Sequence, residues 1–329
     1  MLMAESKRFD LVSIGEILID FTDRGLAPDG TRLFSQNPGG AVANVAAAAA
    51  RLGMRSAFVG KVGADMHGEF LRAALDRAGV CTEGLLTDRE YFTTLAFVQL
   101  GENAERSFSF ARSHGADTRL APEELPADIL TGTRALHFGT LAMTGEPERS
   151  AQLRAIELAR SAGALLAFDP NYRASLWADE ADFRRECARL LPESDLVKLS
   201  DEETELVTGE SSPERAIAAL LDAGVGAAAV TLGSRGAVVG SRASGGCVYC
   251  EGVRCRPVDT TGAGDAFWGA FLTRFLESGT APAAADRAAL ADFTAFANSV
   301  GAYCAAHFGA ISGMPTRAEL EAFMAGGRE

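Results

Sequence analysis

Short apolar runs alternate with longer segments of helical periodicity along most of the 329-residue chain. The runs predicted as strands are 9–21, 55–60, 135–140, 164–170, 195–200 and 227–233, and the clearest predicted helices are 44–53, 68–79 and 147–163. Strands that are apolar along their whole length are typical of sheets buried on both faces, and intervening helices are typical of βαβ units. The pattern therefore predicts an α/β fold with a mostly parallel central sheet covered by helices.

One region interrupts this alternation. Segments 93–100 and 106–112 flank the turn-like sequence GENAE, which predicts a β-hairpin without a covering helix. The Gly, Pro and Asp-rich stretch 23–40 has a similar character. We expect a single domain over residues 1–329 with a small β lid formed by segments of about 21–39 and 85–115.

Composition restricts the partners. Hydrophobic residues make up 47% of the chain and charged residues 23%, which is enough for a large core. The net charge of −13, without a run of Lys and Arg, argues against nucleic acid. Apolar runs are too short for a membrane span, and MLMAESKRFD carries charges where a signal peptide has its apolar core. We expect a cytoplasmic protein with no membrane partner.

Cysteine spacing offers one candidate metal site. Cys247 and Cys250 form a CxxC pair with Cys255 nearby. A zinc site usually has a second pair of ligands, and the four histidines are too dispersed to supply it. Reduced thiols on short strands are the favoured interpretation, with a metal site as the alternative.

The sequence DTTGAGDAFWGAF (259–271) places a glycine-rich loop directly before an apolar helix. The chain has no GxxxxGK[ST] motif, and Phe267 occupies the position where a dinucleotide fingerprint requires glycine. The remaining interpretation is a helix N-terminus at Gly262, Ala263 and Gly264 that binds an anion. Asp265 could then accept a proton from a hydroxyl that attacks a phosphoryl group. The alternative is an acidic residue that only stabilises the helix dipole.

Two further segments carry candidate polar groups. Gly39 and Gly40 allow close backbone approach, and Asn44 is expected to open the following helix with an amide suited to a polyol. The alternative is a turn followed by a helix cap. Asp20 is placed near a strand end, where open α/β sheets bind ligands, although such residues often have no catalytic role.

These segments resemble a known family. GGAVANVAAAAARLG and DTTGAGDAFWGAF resemble the N-terminal and C-terminal signatures of the PfkB (ribokinase-like) carbohydrate kinases. TTLAFV, FDPNYRASLW, VKLSDEE, TLGSRGA and GAISGMPT also have counterparts there, so the resemblance covers nearly the whole chain. It implies a three-layer αβα fold, and FARSHGAD with KLSDEE looks most like bacterial fructokinases.

The resemblance assigns roles to matching positions. Asp265 would be the catalytic base, and the backbone of residues 262–264 would hold the γ-phosphate of ATP. The implied sugar-binding residues are Asp20, Gly39, Gly40, Asn44, Arg112 and Arg173. The implied nucleotide-binding residues are Thr231, Gly233 and Asn298.

Cation sites are also implied. Glu203 would order Mg²⁺ indirectly, in a motif where Ser200 replaces the usual Asn. Asp259 and Thr261, with the loop around Gly309, would bind a monovalent cation such as K⁺. Ala41 stands where ribokinases often have Lys, which counts against ribose.

The predicted function is ATP-dependent phosphorylation of fructose to fructose 6-phosphate. A 2-keto-3-deoxygluconate kinase is the nearest alternative, and it would need Arg112 or Arg173 to bind the substrate carboxylate. A riboside kinase and a non-catalytic sugar-binding regulator are further alternatives. A homodimer is the candidate assembly, with the lid as either a cover or an interface.

Overall fold

The computed structural model describes residues 7–100 and 106–326, with the backbone alone for residues 99, 100 and 106–108. These residues form thirteen strands and ten α-helices. The strands are β1 Phe9–Ile14, β2 Leu18–Leu26, β3 Arg32–Gly39, β4 Ser56–Gly63, β5 Leu85–Asp88, β6 Leu95–Leu100, β7 Arg106–Ala111, β8 Thr133–Phe138, β9 Leu165–Phe168, β10 Leu196–Ser200, β11 Ala227–Thr231, β12 Gly236–Ser241 and β13 Val248–Glu251. The helices are α1 Ala41–Arg51, α2 Met66–Ala78, α3 Ala127–Thr131, α4 Glu148–Ser161, α5 Glu180–Leu190, α6 Thr204–Thr208, α7 Pro213–Asp222, α8 Ala263–Ser278, α9 Arg287–Ala305 and α10 Arg317–Ala325.

Nine strands form the central sheet in the order β13-β12-β11-β10-β9-β8-β1-β4-β5. All pairings from β11 to β5 are parallel, and only the pairings of β12 with β11 and with β13 are antiparallel. This arrangement brings the carboxyl ends of seven strands to one edge, where open α/β sheets bind ligands. The predicted α/β fold with a mostly parallel sheet is confirmed.

Helices cover both faces of this sheet, because successive side chains of a strand point in opposite directions. Leu11, Ala135 and Ala167 pack into a core shared with α1, α8 and α9. Their neighbours Val12 and Leu136 pack into a second core shared with α4, α5 and α7. The result is a three-layer structure. Among the described residues, no helix is both long and apolar enough to cross a bilayer.

A smaller four-stranded sheet has the order β3-β2-β6-β7. The antiparallel pairing of β6 with β7 confirms the predicted hairpin strands, while their turn at 101–105 lies outside the described residues. Strand β5 belongs to the large sheet, so the smaller sheet takes less of the segment 85–115 than expected. Asp20 and Phe110 lie on one face of it, and Phe21 and Phe97 stack at 5.6 Å on the other.

Two local predictions are wrong. The apolar run 9–21 is two strands, β1 and β2, which belong to different sheets. The chain changes direction between them at Gly15, whose φ of 138° is a backbone conformation that residues with a side chain rarely adopt. Helix α1 begins at Ala41 with Gly40 as its N-cap, so Asn44 lies inside the helix and does not open it.

Candidate active site

A cavity opens between the two sheets at the carboxyl ends of β1, β8 and β9 and at the N-termini of α1 and α8. Chain segments that are far apart in sequence meet there because parallel strands end at a common edge. The described residues that line it are Glu16, Leu18, Asp20, Gly40, Ala41, Asn44, Phe110, Leu141, Asn171, Arg173, Thr261, Gly262 and Asp265.

Asp265 and Asn44 contact each other across this cavity. The Nδ2 of Asn44 donates to Oδ2 of Asp265 at 2.8 Å, which orients the carboxylate from the neighbouring helix. Burial raises the pKa of Asp265, while the bond from Asn44 and the charges of Lys198 and Arg173 oppose that rise. A raised pKa makes the carboxylate a better proton acceptor at a site where a hydroxyl must be activated.

The N-terminus of α8 lies directly beside this carboxylate. Gly262 is the N-cap at φ 77°, and a Cβ there would come within 2.6 Å of the Ala310 Cβ, so only glycine fits. The N–H of Ala263 is turned toward Thr260 O at 3.3 Å, and Gly264 is exposed. The first N–H groups of a helix lack partners within the helix and carry its positive dipole end. The helix start therefore suits a phosphate group.

Asp20 reaches the cavity from the smaller sheet. It is 8% exposed, and a Cβ on Gly39 would lie 2.1 Å from its Oδ2, so Gly39 leaves room for the carboxylate without lining the cavity. Gly40, at φ 107°, passes close to the Glu16 carbonyl, 2.6 Å from where its Cβ would be. Both glycines allow close packing of β2 against the start of α1.

The two candidate arginines have different positions. Arg173 lines the cavity and donates from Nη1 to the Tyr172 carbonyl at 2.9 Å. Arg112 is 7% exposed and is not among the described lining residues. Its guanidinium instead forms ion pairs with Asp117 and Glu148, each at 2.7 Å. Of the two, the structure brings only Arg173 to the cavity wall.

The candidate nucleotide residues lie beyond this cavity, across the ends of β10 and β11. Thr231 pairs in register with Ser200, and its Oγ1 donates to Leu199 O at 3.3 Å. Gly233 follows at φ 59°. Asn298 lies on α9, where its Nδ2 donates to the backbone carbonyls of residues 250 and 251. In this structure the Asn298 amide nitrogen therefore links α9 to β13.

Glu203 has a structural role that its motif did not reveal. Its Oε2 accepts from the N–H and the hydroxyl of Ser200, which forms a capping box at 2.8 and 3.0 Å. Its Oε1 accepts from the Tyr172 N–H at 2.7 Å. Ser200 and the Tyr172 N–H thus orient the glutamate.

The proposed monovalent-cation residues are brought together. Oδ1 of Asp259 accepts from the N–H and the hydroxyl of Thr261, and its Oδ2 accepts from Gly309 N at 3.1 Å. Thr261 also lines the cavity. The loop before α8 is therefore tied to the loop around Gly309 by one carboxylate.

Sequence reasoning missed four polar or charged residues of this region. Glu16 and Asn171 line the cavity, and Asn171 has φ 48°, a left-handed conformation that Asn tolerates better than most residues. Lys198 and Asp169 form a buried ion pair at 2.7 Å. A lysine within the apolar strand sequence LVKLS was the available signal for a buried charge.

All six cysteines are free thiols. Cys250 lies on β13, as expected for a short strand, and Cys247 and Cys255 lie just outside it. The described residues contain no cluster of three or more His, Cys, Asp or Glu that could hold a metal ion.

The chain is similar to known proteins over nearly its whole length. The model of the pfkB family carbohydrate kinases matches residues 8–317. Fructokinase-2 of Solanum habrochaites is 38% identical over 320 residues, covering 96% of each chain. A fructokinase with bound ATP from Xylella fastidiosa superposes with a TM-score of 0.86 at 30% identity, over 97% of this chain and 99% of that one.

A second similar structure contains a sugar, a nucleotide and a cation. A fructokinase double mutant from Vibrio cholerae O395, in a form that binds fructose, ADP and a potassium ion, superposes with a TM-score of 0.84 at 32% identity, over 97% of this chain and 99% of the other. The family model matches nearly the whole chain, and the two superpositions support the three-layer fold. The chain belongs to the pfkB family of carbohydrate kinases.

Proposed function

We propose that this protein is an ATP-dependent fructokinase that makes fructose 6-phosphate. The observation that carries the proposal is the meeting, in one cavity, of Asp265, the N-terminus of α8 and Asp20. A proton acceptor, a phosphate site and a sugar-binding carboxylate are what phosphoryl transfer to a sugar requires. Relatives with fructokinase names support the choice of sugar.

In this mechanism Asp20 binds sugar hydroxyls and orients the acceptor. Asp265 takes the proton of the attacking hydroxyl, and Asn44 holds its carboxylate in position. The N–H groups of residues 262–264 stabilise the charge of the transferring phosphoryl group. Arg173 adds a positive charge at the same wall.

Magnesium fits the carboxylates near this site. Asp169 Oδ1 is buried and has no hydrogen-bond partner among the described residues, and Glu203 lies close enough for its charge to raise the pKa of Asp169. Mg²⁺ prefers such oxygen ligands, retains several waters and neutralises nucleotide phosphates. Asp169 and Glu203 would hold it through water, and Asp259 with Thr261 would hold K⁺.

The charge of the cavity favours a neutral sugar. Three carboxyl side chains line it, those of Glu16, Asp20 and Asp265, and Arg173 is the only cationic residue among the described lining residues. A sugar acid would meet net negative charge in a partly desolvated site, which costs binding energy. A 2-keto-3-deoxygluconate kinase is therefore the weaker assignment.

The test is a coupled assay of ATP-dependent phosphorylation with fructose, ribose and 2-keto-3-deoxygluconate, with K⁺ present and absent. We expect fructose to have the highest kcat/KM and K⁺ to increase it. A higher kcat/KM for either of the other acceptors would contradict the assignment. Binding of fructose without any turnover would favour the non-catalytic regulator.

We also propose that the protein is a cytoplasmic homodimer that associates through the outer face of the smaller sheet. Phe34 and Phe97 are 40% and 36% exposed on that face, with their ring centroids 6.0 Å apart, and exposed apolar patches are typical of interfaces. Light scattering after size-exclusion chromatography should give a dimer, and Phe34→Asp should give a monomer. A wild-type monomer at all concentrations would contradict the interface.

A further inference from the structure

The guanidinium of Arg112 is held in a buried ion cluster behind the cavity. Its Nε donates to Asp117 Oδ2, its Nη2 to Glu148 Oε2 and its Nη1 to Thr144 Oγ1, each at 2.7 Å. Asp117 and Glu148 are each 2% exposed, and Asp117 also accepts a hydrogen bond from the hydroxyl of Thr94. Each of the three guanidinium nitrogens therefore donates to a side chain of the protein.

This cluster lies one layer behind the wall of the cavity. Phe110, two residues before Arg112, is part of the wall, and so is Leu141, whose carbonyl accepts from Thr144 Oγ1 at 2.8 Å. Glu16 completes this part of the wall. Burial raises the pKa of Glu16 to about 7, and the charge of Arg112 opposes that rise, which indicates that the guanidinium is close to the wall.

An arginine in this position could bind the carboxylate of a sugar acid, because a guanidinium pairs with carboxylates through two parallel hydrogen bonds. In this protein the carboxyl groups of Asp117 and Glu148 already pair with the guanidinium of Arg112. Burial raises the pKa of Glu148, but a carboxyl oxygen accepts from Nη2 in either protonation state. Binding a substrate carboxylate would require both protein partners to be displaced into a buried, unpaired state, which is strongly unfavourable.

We propose that Asp117 and Glu148 are positioning residues that determine substrate specificity. By holding Arg112 behind the wall, they prevent it from binding a substrate carboxylate, so the cavity selects a neutral sugar over a sugar acid. This inference rests on the proposed fructokinase function, and it explains how a member of a family of carbohydrate kinases can carry a buried arginine near the acceptor without accepting anionic sugars.

The experiment replaces both carboxylates in the full chain with their isosteric amides, Asp117→Asn and Glu148→Gln. Calorimetry then measures the Kd of 2-keto-3-deoxygluconate and of fructose. We expect the ratio of the two Kd values to shift at least about tenfold toward the acid, because an unpaired cation near a desolvated site attracts a carboxylate strongly. Adding Arg112→Met to the double variant should abolish this shift.

A matched control is Asp10→Asn. Asp10 is also a largely buried carboxylate paired with two arginines, Arg55 and Arg134, but it lies at the opposite end of β1 from the cavity. Its replacement should leave the ratio unchanged. Thermal melting checks that each variant is folded, and if the double variant does not fold, the two single variants decide, each with an expected shift of about threefold.

Two results would overturn the inference: an unchanged ratio in folded variants, or a shift that persists when Arg112→Met is added. Either could occur while the wild type still phosphorylates fructose, and the proposed function would then stand. A wild type that does not phosphorylate fructose would contradict the proposed function alone, since the calorimetric comparison does not depend on turnover.

Discussion

Asp265 combines two properties that point to a proton acceptor: a carboxylate oriented by Asn44 and a pKa raised by burial. We predict that Asp265→Asn lowers kcat by about 10²–10⁴-fold and leaves the Kd of fructose nearly unchanged, because the lost step is proton acceptance in the transition state. Steady-state kinetics and calorimetry would measure the two quantities. The control is Asp286→Asn, which changes the N-cap of α9 to another good cap.

The same residue predicts a pH dependence. Asp265 must be ionised to accept a proton, so kcat should fall as the pH drops through its raised pKa, at a higher pH than an ordinary aspartate would give. The residual activity of Asp265→Asn should lack this acidic limb. An identical limb in the variant would assign the titration to another group.

A second residue-scale prediction concerns Asp20 and the glycine beside it. Asp20→Ala should weaken fructose binding by about 1.5–3 kcal/mol, because sugar hydroxyls lose a charged acceptor. Gly39→Ala should have a similar effect, since its Cβ would displace the Asp20 carboxylate. Gly145→Ala is the matched control, because a Cβ there meets nothing within 4 Å. Unchanged calorimetric affinity in both test variants would remove Asp20 from the sugar site.

At this scale the sequence identified most lining residues through local motifs, but not their partners. The bond between Asn44 and Asp265 joins residues 221 positions apart, and no local pattern encodes such a contact. For Arg112, too, the local motif did not predict which residues it contacts. Its motif predicted a substrate contact, whereas the ion pairs that hold it back come from Asp117 and from the distant Glu148.

At the scale of single elements, β9 and β10 share a buried ion pair between Asp169 and Lys198. Lys198→Met should destabilise the protein by about 3–5 kcal/mol, because it leaves a buried carboxylate unpaired. Burial already raises the pKa of Asp169 to about 6, and loss of the lysine should raise it further. A carboxylate whose folded pKa is raised loses stability as the pH rises through that pKa.

The destabilisation by Lys198→Met should therefore be greater at about pH 8 than at about pH 5. Urea denaturation at both pH values measures it. Lys198→Arg, which keeps the charge, and the double variant Lys198→Met with Asp169→Asn should both lose less stability than Lys198→Met alone. An equal loss at the two pH values would mean that packing, and not the unpaired charge, dominates.

Helices and strands were predictable where the hydrophobic periodicity was clear. The prediction failed where one apolar run contributes strands to two different sheets. Helix α2 ends at Gly79, at φ 84°, as its sequence indicates. The run 9–21 contains Gly15 and Glu16 at the break, but both residues are buried like the strands on either side of them, so the hydrophobic pattern does not separate β1 from β2. The positive φ of Gly15 and the pairing of the two strands into different sheets separate them.

At the scale of the whole molecule, the sugar would bridge the two sheets. Asp20 belongs to the smaller sheet, whereas Asn44 and Asp265 belong to helices packed on the large one. The hairpin strands have a further anchor at Thr93, whose N–H and hydroxyl donate to Asp65, each at 2.8 Å. A bound sugar should therefore fix the smaller sheet against the larger body.

The final prediction concerns how a bound sugar changes the mobility of the smaller sheet. Edge strand β7 has a paired neighbour on one side only, so residues 93–100 and 106–112 should exchange their amide hydrogens faster than the central strands β9 and β11 when the site is empty. Fructose should increase protection in these two segments more than in 165–168 or 227–231, since its hydroxyls contact Asp20 and closure excludes water that competes as a phosphoryl acceptor. In Asp20→Ala the same sugar concentration should give a smaller increase. Equal increases in the hairpin strands and the central strands, or full protection of the hairpin strands without sugar, would identify the smaller sheet as a fixed part of the fold, because a lid that closes on the sugar must exchange fastest when the site is empty.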